Sequence, residues 1–576
     1  MNYKHFLLAA IGGMFLLAGC DQKPELPVDS SNQYVAFNIV APTAANTKGT
    51  EGGLDNGTAE ESAVKSVYFF FYKNGTYIAE GKNISEGTFQ FDANGSSQAV
   101  VVLESDGTKP NQVLCVINSE RHSAIKGKPL NDVVALLQNE SHQSNAFGVR
   151  TDPAKLYFAM INSPYIDNGQ PVYGYPIGDH IKATAADAES NPVEVNVERI
   201  VSKVSVDASG LTNTLSAQYE IAVKGWALNG VNRDSYIIKN INPAWASSTY
   251  SPDWDEAWMY HAGQKRTCWA EDPNYSTATH QMKTHYAVTN YRYDDAANPL
   301  QHFTMKELWD HANATGYTDD AVRKVYCFEN TFNPSLTANY RNVGTHVIVI
   351  CQFKPAGAAS YANLYRYNGN IYTEDAYKGQ ALTDALNSLG YTFYVGADAA
   401  SAVALTKDHL DIVRAIVDNG VIKSASGEKT DAHVSVFPTN LGAGNQLFVS
   451  TDGGTTKTVA TDVQISKAFG EHVVERAELF QNGWMYYVVP IEHLNNATPG
   501  DPKIVYEGKY GMVRNHFYQV TLGQITGIGN GCYDPADPNY HSEEIVPDDK
   551  NDIWYLAARI NINAWHVVTQ TSNLVD

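Results

Sequence analysis

Near its C-terminus the chain alternates apolar and polar residues with the period of a β-strand. Apolar residues occupy every second position from 556 to 564, and Arg559 and two asparagines stand between them. This period predicts a strand with one buried face, which we delimit at residues 554–568. No turn signal follows it, so we expect no hairpin partner downstream. The apolar positions are Leu556, Ala558, Ile560, Ile562 and Ala564.

An acidic, proline-containing segment, residues 534–552, tethers this strand to the rest of the chain. A long amphipathic strand on a polar tether can complete its own sheet or pair with the sheet of another molecule. We therefore regard it as a candidate donor strand. The aspartates of the tether could also bind calcium, but they lack the EF-hand pattern, and a solvated linker fits them better.

A second alternating stretch lies near the N-terminus, at residues 34–40, with Val35, Phe37 and Ile39 on one face. The following residues, 43–62, are rich in Gly, Thr, Ala, Asn and acids, which is typical of a loop that proteases cut. Lys48 is the only basic residue between Lys23 and Lys65. A trypsin-like protease cutting there would detach the first strand. The alternative is a solvated lysine in an ordinary loop.

Strand patterns also dominate the middle of the chain. Residues 65–79 predict a hairpin around Asn74 and Gly75, and buried strands are predicted at 112–118, 193–206, 345–354 and 484–491. Short helices are predicted at 131–139, 380–387 and 408–418. Because strands do not alternate regularly with helices, we expect an all-β fold of sandwiches with short helices in loops. We place a removable segment at 21–48, an N-terminal domain at 49–207 and a C-terminal domain at 208–576.

The first residues resemble a lipoprotein signal. Lys4 and His5 precede an apolar run over 6–17, which is too short to span a bilayer and leads to Leu-Ala-Gly-Cys at 17–20. We expect residues 1–20 to be a signal peptide and Cys20 to be lipidated. The alternative is an ordinary secreted protein in which Cys20 is incidental.

Charge and motifs narrow the class of function. A net charge of −21 argues against a nucleic-acid partner. No GxSxG, HExxH, Walker or dinucleotide-binding motif is present, so we expect no catalytic residue, no cofactor and no metal site. Besides Cys20 there are five cysteines without a CxxC pair, of which Cys268, Cys327 and Cys532 could include one disulfide.

Several stretches together resemble the fimbrillins of the Bacteroidales, the shaft subunits of type V pili, and most closely the minor-fimbrium subunit family. Residues 510–520 (YGMVRNHFYQV) resemble the family strand YGVVRNHWYKV, and 557–565 resemble its final strand. The likeness is weakest at 361–461, which we interpret as an insertion. Further similar stretches are 197–206, 266–275, 326–332 and 487–494, together with Cys20 and the residues before it.

The resemblance implies a lipoprotein precursor of two transthyretin-like β-sandwich domains. In that family a protease removes the first strand, and the C-terminal strand of another subunit fills the groove. It thus implies Val35, Phe37 and Ile39 in the removable strand, cleavage at Lys48, and donor residues Leu556, Ala558, Ile560, Ile562 and Ala564. The family's best-known members are cut after arginine, whereas this loop offers only Lys48.

The implied product is an outer-membrane lipoprotein precursor that becomes part of an extracellular fimbrium and supports adhesion and biofilm formation. Its implied partners are further copies of itself, accessory tip and anchor subunits, an Arg- or Lys-specific protease, and receptors on host or bacterial surfaces. Two alternatives remain open. One is a tip or anchor subunit, and the other is a surface glycan-binding lipoprotein that uses the aromatic segment 245–269.

Overall fold

The structure is a computed structural model, and the account below refers to the residues it describes. Among these residues, no helix is both long and apolar enough to cross a membrane. The described residues are 33–40, 64, 66–83, 96–103, 108–119, 121–139, 158–168, 170–232, 235–242, 270–273, 275, 308–310, 324–331, 344–387, 389–413, 415–418, 421–424, 433–471, 477–491, 511–533, 556–563 and 568–571.

The first part of the chain is built from strands, with three short helices between them. The predicted helix over 131–139 is confirmed. In chain order the elements are β1 (Gln33–Val40), β2 (Val67–Lys73), β3 (Thr76–Asn83), β4 (Ser96–Leu103), β5 (Gln112–Ile117), α1 (His122–Ile125), α2 (Leu130–Asn139), β6 (Met160–Asn162), β7 (Tyr165–Asp167), β8 (Gln170–Val172), β9 (Tyr175–Pro176), α3 (Ala185–Glu189) and β10 (Val193–Arg199).

Eight of these strands form one sheet that closes on itself. Its order is β2-β3-β4-β1-β10-β6-β5-β9, and β2 also pairs with β5. The closed sheet is therefore a flattened barrel with one interior, which alternate residues of each strand fill, and we call it the first sandwich. The completely buried interior side chains include Phe69, Phe71, Val101, Val113 and Val195.

The second part of the chain continues the all-β pattern. Its elements are β11 (Val201–Asp207), β12 (Thr212–Asn213), β13 (Tyr219–Asn229), β14 (Lys324–Phe328), β15 (His346–Pro355), β16 (Leu364–Tyr367), β17 (Asn370–Thr373), α4 (Glu374–Leu386), β18 (Thr392–Gly396), β19 (Val403–Ala404), β20 (Asp411–Val413), β21 (Ala415–Asp418), β22 (Val421–Ser424), β23 (His433–Phe437), β24 (Gln446–Ser450), β25 (Thr458–Val459), α5 (Asp462–Ser466), β26 (Ala477–Phe480), β27 (Trp484–Pro490), β28 (Phe517–Ile525), β29 (Asn530–Gly531), β30 (Leu556–Asn563) and β31 (Val568–Thr571).

Two sheets of this part face each other across a second core. One has the order β14-β11-β28-β30-β31, with β12 also on β28, and the other has the order β13-β15-β27-β29. Val204 of β11, Trp226 of β13, Val349 of β15 and Val520 of β28 are all buried in the shared core. This arrangement is a β-sandwich, so the prediction of an all-β fold of sandwiches with short helices is confirmed.

The outer face of the β13-β15-β27 sheet is covered by a third layer built from the described residues between 364 and 479. Ile348 and Trp484 of the sheet share one core with Tyr377 of α4 and Phe393 of β18. Helix α4 buries Tyr377, Ala381 and Ala385, a stripe at four-residue spacing that faces this core. The region where the family resemblance is weakest, 361–461, makes up most of this layer.

The chain crosses from the first sheet to the second sandwich at Ile200. Strand β10 pairs with β6, whereas β11 pairs with β14 and β28. The crossing therefore precedes Asp207, where the sequence suggested the end of the first domain. The domain limits themselves stay a prediction.

Candidate functional site

Strand β1 fills a gap between two strands of the closed sheet. It pairs antiparallel with β4 along its whole length, from Gln33 opposite Leu103 to Val40 opposite Ser96. On its other side, its second half pairs parallel with β10. Its first half is bridged there to Lys182, because the backbone groups of Tyr34 and Lys182 exchange two hydrogen bonds of 2.8 Å. Without β1, the sheet would have an open slot with unpaired backbone groups on both sides.

The inward face of β1 supplies part of the first core. Val35 and Phe37 are completely buried, and the Phe37 ring stacks on Phe69 with 4.6 Å between ring centroids. Phe71 contacts the same ring at 5.9 Å. The backbone of Ile39 continues the strand, but its side chain lies outside the described residues. Removal of β1 would thus open an apolar groove in the barrel wall.

The outward face of β1 is also covered. Tyr34 and Ala36 pack against Ala188 of α3, and Ala36 is completely buried. Helix α3 starts at this place because the Thr184 hydroxyl accepts a hydrogen bond from the Asp187 backbone N–H at 3.1 Å. The first half of the slot therefore has a floor of core side chains and a roof formed by α3.

The C-terminal strand β30 is docked in its own molecule, between β28 and β31. It is antiparallel to both, and Ile562, Ile560 and Ala558 are the register partners of Tyr518, Val520 and Leu522. The expectation that no strand follows is wrong, because β31 pairs with β30. Val568, Thr569 and Thr571 are β-branched and favour a strand, although residues 564–567, which connect the two strands, contain no Gly, Asn or Pro.

The hairpin formed by β30 and β31 lies at one edge of its sheet. Strand β28 keeps its parallel pairing with β11 regardless of β30, from Lys203 opposite Phe517 to Asp207 opposite Thr521. Detaching the hairpin would break the ladder between β28 and β30, and freeing both edges of β30 would also break its ladder with β31. Leu556 is the register partner of Ile525.

Several predicted site residues lie outside the described part of the chain. They are Cys20, Lys48, Ala564 and the aromatic segment 245–269. The lipidation, cleavage and glycan-platform hypotheses therefore stay predictions, as do the roles assigned to the residues of β1 and β30.

A buried polar network before β28 joins the two sandwiches, and sequence reasoning missed it. Arg514 donates to Glu329 from Nε at 3.1 Å and from Nη2 at 3.0 Å, and both side chains are buried. Arg514 also donates to the backbone carbonyl oxygens of Ile237 and Tyr236. The Arg-Asn-His stretch at 514–516, found through the family resemblance, therefore has a structural role in this chain.

A second ion pair of this network reaches the first sandwich. Lys239 Nζ lies 2.6 Å from Glu198 Oε2 on β10, and both side chains are fully buried. The Ser163 hydroxyl donates to the same oxygen at 3.2 Å. Next to it, Ile237 and Ile238 pack with α2 against the outer face of the closed sheet. Buried ion pairs and apolar packing together hold the two sandwiches in contact.

The described cysteines lie in the interior of the protein. Cys115, Cys327, Cys351 and Cys532 are buried free thiols, and burial raises the pKa of Cys115, Cys327 and Cys532 above the ordinary value. Among the described residues, no group of three or more His, Cys, Asp or Glu side chains could hold a metal ion.

Comparison with known proteins finds a family match over the C-terminal part. The family described as "Major fimbrial subunit protein type IV, Fimbrillin, C-terminal" matches residues 478–571, from β26 to the end of β31. No curated protein matches the chain.

Several solved fimbrial proteins are similar in outline. A fimbrilin (fimA) from Porphyromonas gingivalis W83 has 12% identity over 94% of this chain and 100% of its own, with a TM-score of 0.37. The tip fimbrial protein Mfa3 from Porphyromonas gingivalis has 11% identity over 93% and 100%, with a TM-score of 0.31. A fimbrial assembly protein from Parabacteroides distasonis has 13% identity over 56% and 98%, with a TM-score of 0.23.

The chain is thus an all-β protein whose last described strands lie at the edge of a sheet. Its C-terminal part, residues 478–571, matches the fimbrillin C-terminal family, which confirms the resemblance to fimbrillins there.

Proposed function

We propose that this protein is a structural subunit of cell-surface fimbriae that polymerises by protease-activated donor-strand exchange. The observation that carries the proposal is the position of β1, which lies between two strands of a closed sheet; in the sequence, Lys48 follows β1. In this scheme, cutting after Lys48 releases β1, and the slot between β4 and β10 becomes the acceptor. Strand β30 of another copy is the donor.

The energy of the exchange favours assembly. Each apolar donor side chain buried in the slot stabilises the contact by about 1.5–3 kcal/mol before ordering costs, and the loss of the ladder between β28 and β30 offsets part of this gain. The slot also offers the backbone pairing partners that β1 had on β4 and β10. The donor is at one end of the chain and the acceptor near the other, so the head-to-tail contact does not close and extends as a fibre.

The proposal also predicts how the subunit is processed and where it is located. The precursor is a lipoprotein held in the outer membrane through Cys20, and the cleaved product is extracellular and supports adhesion and biofilm formation. Other copies and accessory tip or anchor subunits are its partners. An anchor subunit would keep its lipid and escape cleavage, so mass spectrometry of the mature N-terminus distinguishes an anchor from a shaft subunit.

The test is limited trypsin digestion of the chain from residue 21, followed by N-terminal mass spectrometry and negative-stain microscopy. We expect one early cut after Lys48 and then filaments. The Lys48→Ala variant should stay monomeric under the same treatment. A cut after Lys48 that leaves a persistent monomer would overturn strand exchange.

A second variant tests the donor. Ile560→Asp places a charge at one of the alternating apolar positions of β30. Because burying this charge in the slot is costly, the cleaved protein should remain a monomer. The matched control is Val463→Asp, because Val463 is 77% exposed and lies on α5, far in sequence from both strands. Circular dichroism checks that both variants fold. Fibres from Ile560→Asp would refute the donor assignment.

A further inference from the structure

The slot has two consecutive inward-facing positions that apolar side chains fill completely in the precursor. Val35 and Phe37 occupy consecutive inward positions of β1 and are completely buried. An alanine in the place of Phe37 would leave a cavity in a packed core. Within residues 556–563, Ile560 and Ile562 are the one pair of successive apolar-phase residues without an alanine. They are the pair that fits the two places.

The same two isoleucines fit the slot in either direction, since a strand keeps its faces when it is reversed. In the direction of β1, Ile560 would replace Val35, and Arg559 would replace Tyr34. In the opposite direction, Ile560 would replace Phe37, and Arg559 would replace Asn38. Asn561 takes the place of Ala36 in both cases, so it does not distinguish them.

The surroundings of Arg559 differ between the two directions. At the Tyr34 place the backbone partner is Lys182, a like charge, and Tyr34 is only 3% exposed there. Helix α3 carries two acids, Asp187 and Glu189, but neither is a register partner of β1. The Asp187 carboxylate already accepts a hydrogen bond from the Thr184 hydroxyl at 2.7 Å. Burying a guanidinium beside a lysine is costly.

At the other end, Asn38 is the register partner of Glu194 on β10. Glu194 is exposed, so a cation placed beside it keeps contact with water and faces an opposite charge. Arg559 is the one charged residue of β30. Charge and solvation therefore both favour the direction opposite to that of β1.

We propose that β30 of a second copy enters the slot in the direction opposite to β1, with Ile560 and Ile562 in the places of Phe37 and Val35 and Arg559 beside Glu194. The proposal rests on the strand exchange proposed above and adds its direction and register. The donor is then antiparallel to β10 and parallel to β4, the reverse of the two ladders that β1 makes. Arg559 and Glu194 set the register between copies.

The first experiment reads the direction by disulfide cross-linking. Chains carrying Arg559→Cys with either Glu194→Cys or Lys182→Cys are cleaved, assembled, oxidised and run on non-reducing gels. Directly paired strand residues lie close enough for a disulfide. We expect a ladder of covalent oligomers with Glu194→Cys and none with Lys182→Cys, and Arg559→Cys alone is the control for native thiols. A ladder with Lys182→Cys instead would overturn the proposed direction.

The second experiment exchanges the charges. Glu194→Arg and Arg559→Glu should each slow assembly by about fivefold, and the double variant should restore the rate. Fibres that form at the normal rate from both single variants, without a ladder from either cysteine pair, would overturn the register but leave strand exchange standing. If the unmodified cleaved chain forms no fibres, strand exchange fails, and this proposal fails with it.

Discussion

At the scale of single residues, Phe37 has an unusual position because its contribution is temporary under the proposed mechanism. It is completely buried against Phe69 in the precursor, yet it lies in the segment that cleavage removes. The stability it provides therefore belongs to the precursor alone.

This gives a prediction with its own internal control. Phe37→Ala should lower the free energy of unfolding of the precursor by about 3–5 kcal/mol, because it leaves a cavity in the core. After cleavage, the variant and the unmodified protein are the same molecule and should assemble at the same rate. Urea unfolding before cleavage and light scattering after it measure the two effects.

A matched variant on a retained strand should behave differently. Phe69→Ala removes the ring on the other side of the same stack, and β2 stays in the chain after cleavage. We expect it to destabilise the precursor and the cleaved form alike. Equal assembly defects in Phe37→Ala and Phe69→Ala would mean that β1 is not lost before assembly.

At the scale of elements, the two strands of the proposed exchange are placed differently. Strand β1 is internal to a closed sheet, whereas the β30–β31 hairpin ends an open one. Leaving is therefore easier for the hairpin, while the loss of β1 requires a cut in the chain.

Truncation and blocked cleavage should act as opposite chain terminators. A chain ending at residue 552 can accept a donor but offers none, and uncleaved Lys48→Ala can offer a donor but accepts none. Each, added in small amounts to cleaved full-length protein, should shorten the filaments seen by microscopy. A mixture of these two variants alone should stop at dimers by size-exclusion chromatography. Long filaments from that mixture would contradict the scheme.

Element prediction from the sequence succeeded where apolar and polar residues alternate and failed where contacts between distant segments decide the structure. The alternation at residues 34–40 and 556–564 correctly located β1 and β30. The helix predicted at 408–418 is wrong, because the β-branched residues there pair with other strands, as β20 does with β23. The α3 roof over β1 was also missed, since a five-residue helix has too few turns to show a periodic pattern.

At the scale of the whole molecule, the contact between the sandwiches depends on charges that a sequence reading places on the surface. Arg514 and Glu329 are 185 residues apart in the chain, and neither position has an apolar pattern that would mark it as buried. Their pairing follows from packing of remote segments, so a single sequence could not reveal it.

Breaking this contact should loosen the molecule as a whole. Arg514→Met leaves Glu329 as a buried, unpaired charge, and we expect the free energy of unfolding to fall by about 3–5 kcal/mol. Calorimetry should then show two transitions in place of one as the sandwiches unfold separately. Lys407→Met is the control, because its ion pair with Asp375 is exposed to solvent and its loss should hardly change the stability. A cost as small as that of the control would contradict the role of the junction.

The single-residue crossing at Ile200 has a mechanical consequence for a filament under tension. Under the proposed exchange, a pulling force enters the subunit at β10, the strand beside the slot, and continues along the backbone into β11. The ladder between β11 and β28 then carries the force to β28, which pairs with the donor hairpin. The layer that covers the outer face of the β13-β15-β27 sheet lies beside this route. Under the proposed strand exchange, the size or sequence of this layer can therefore change without altering the path that carries the force.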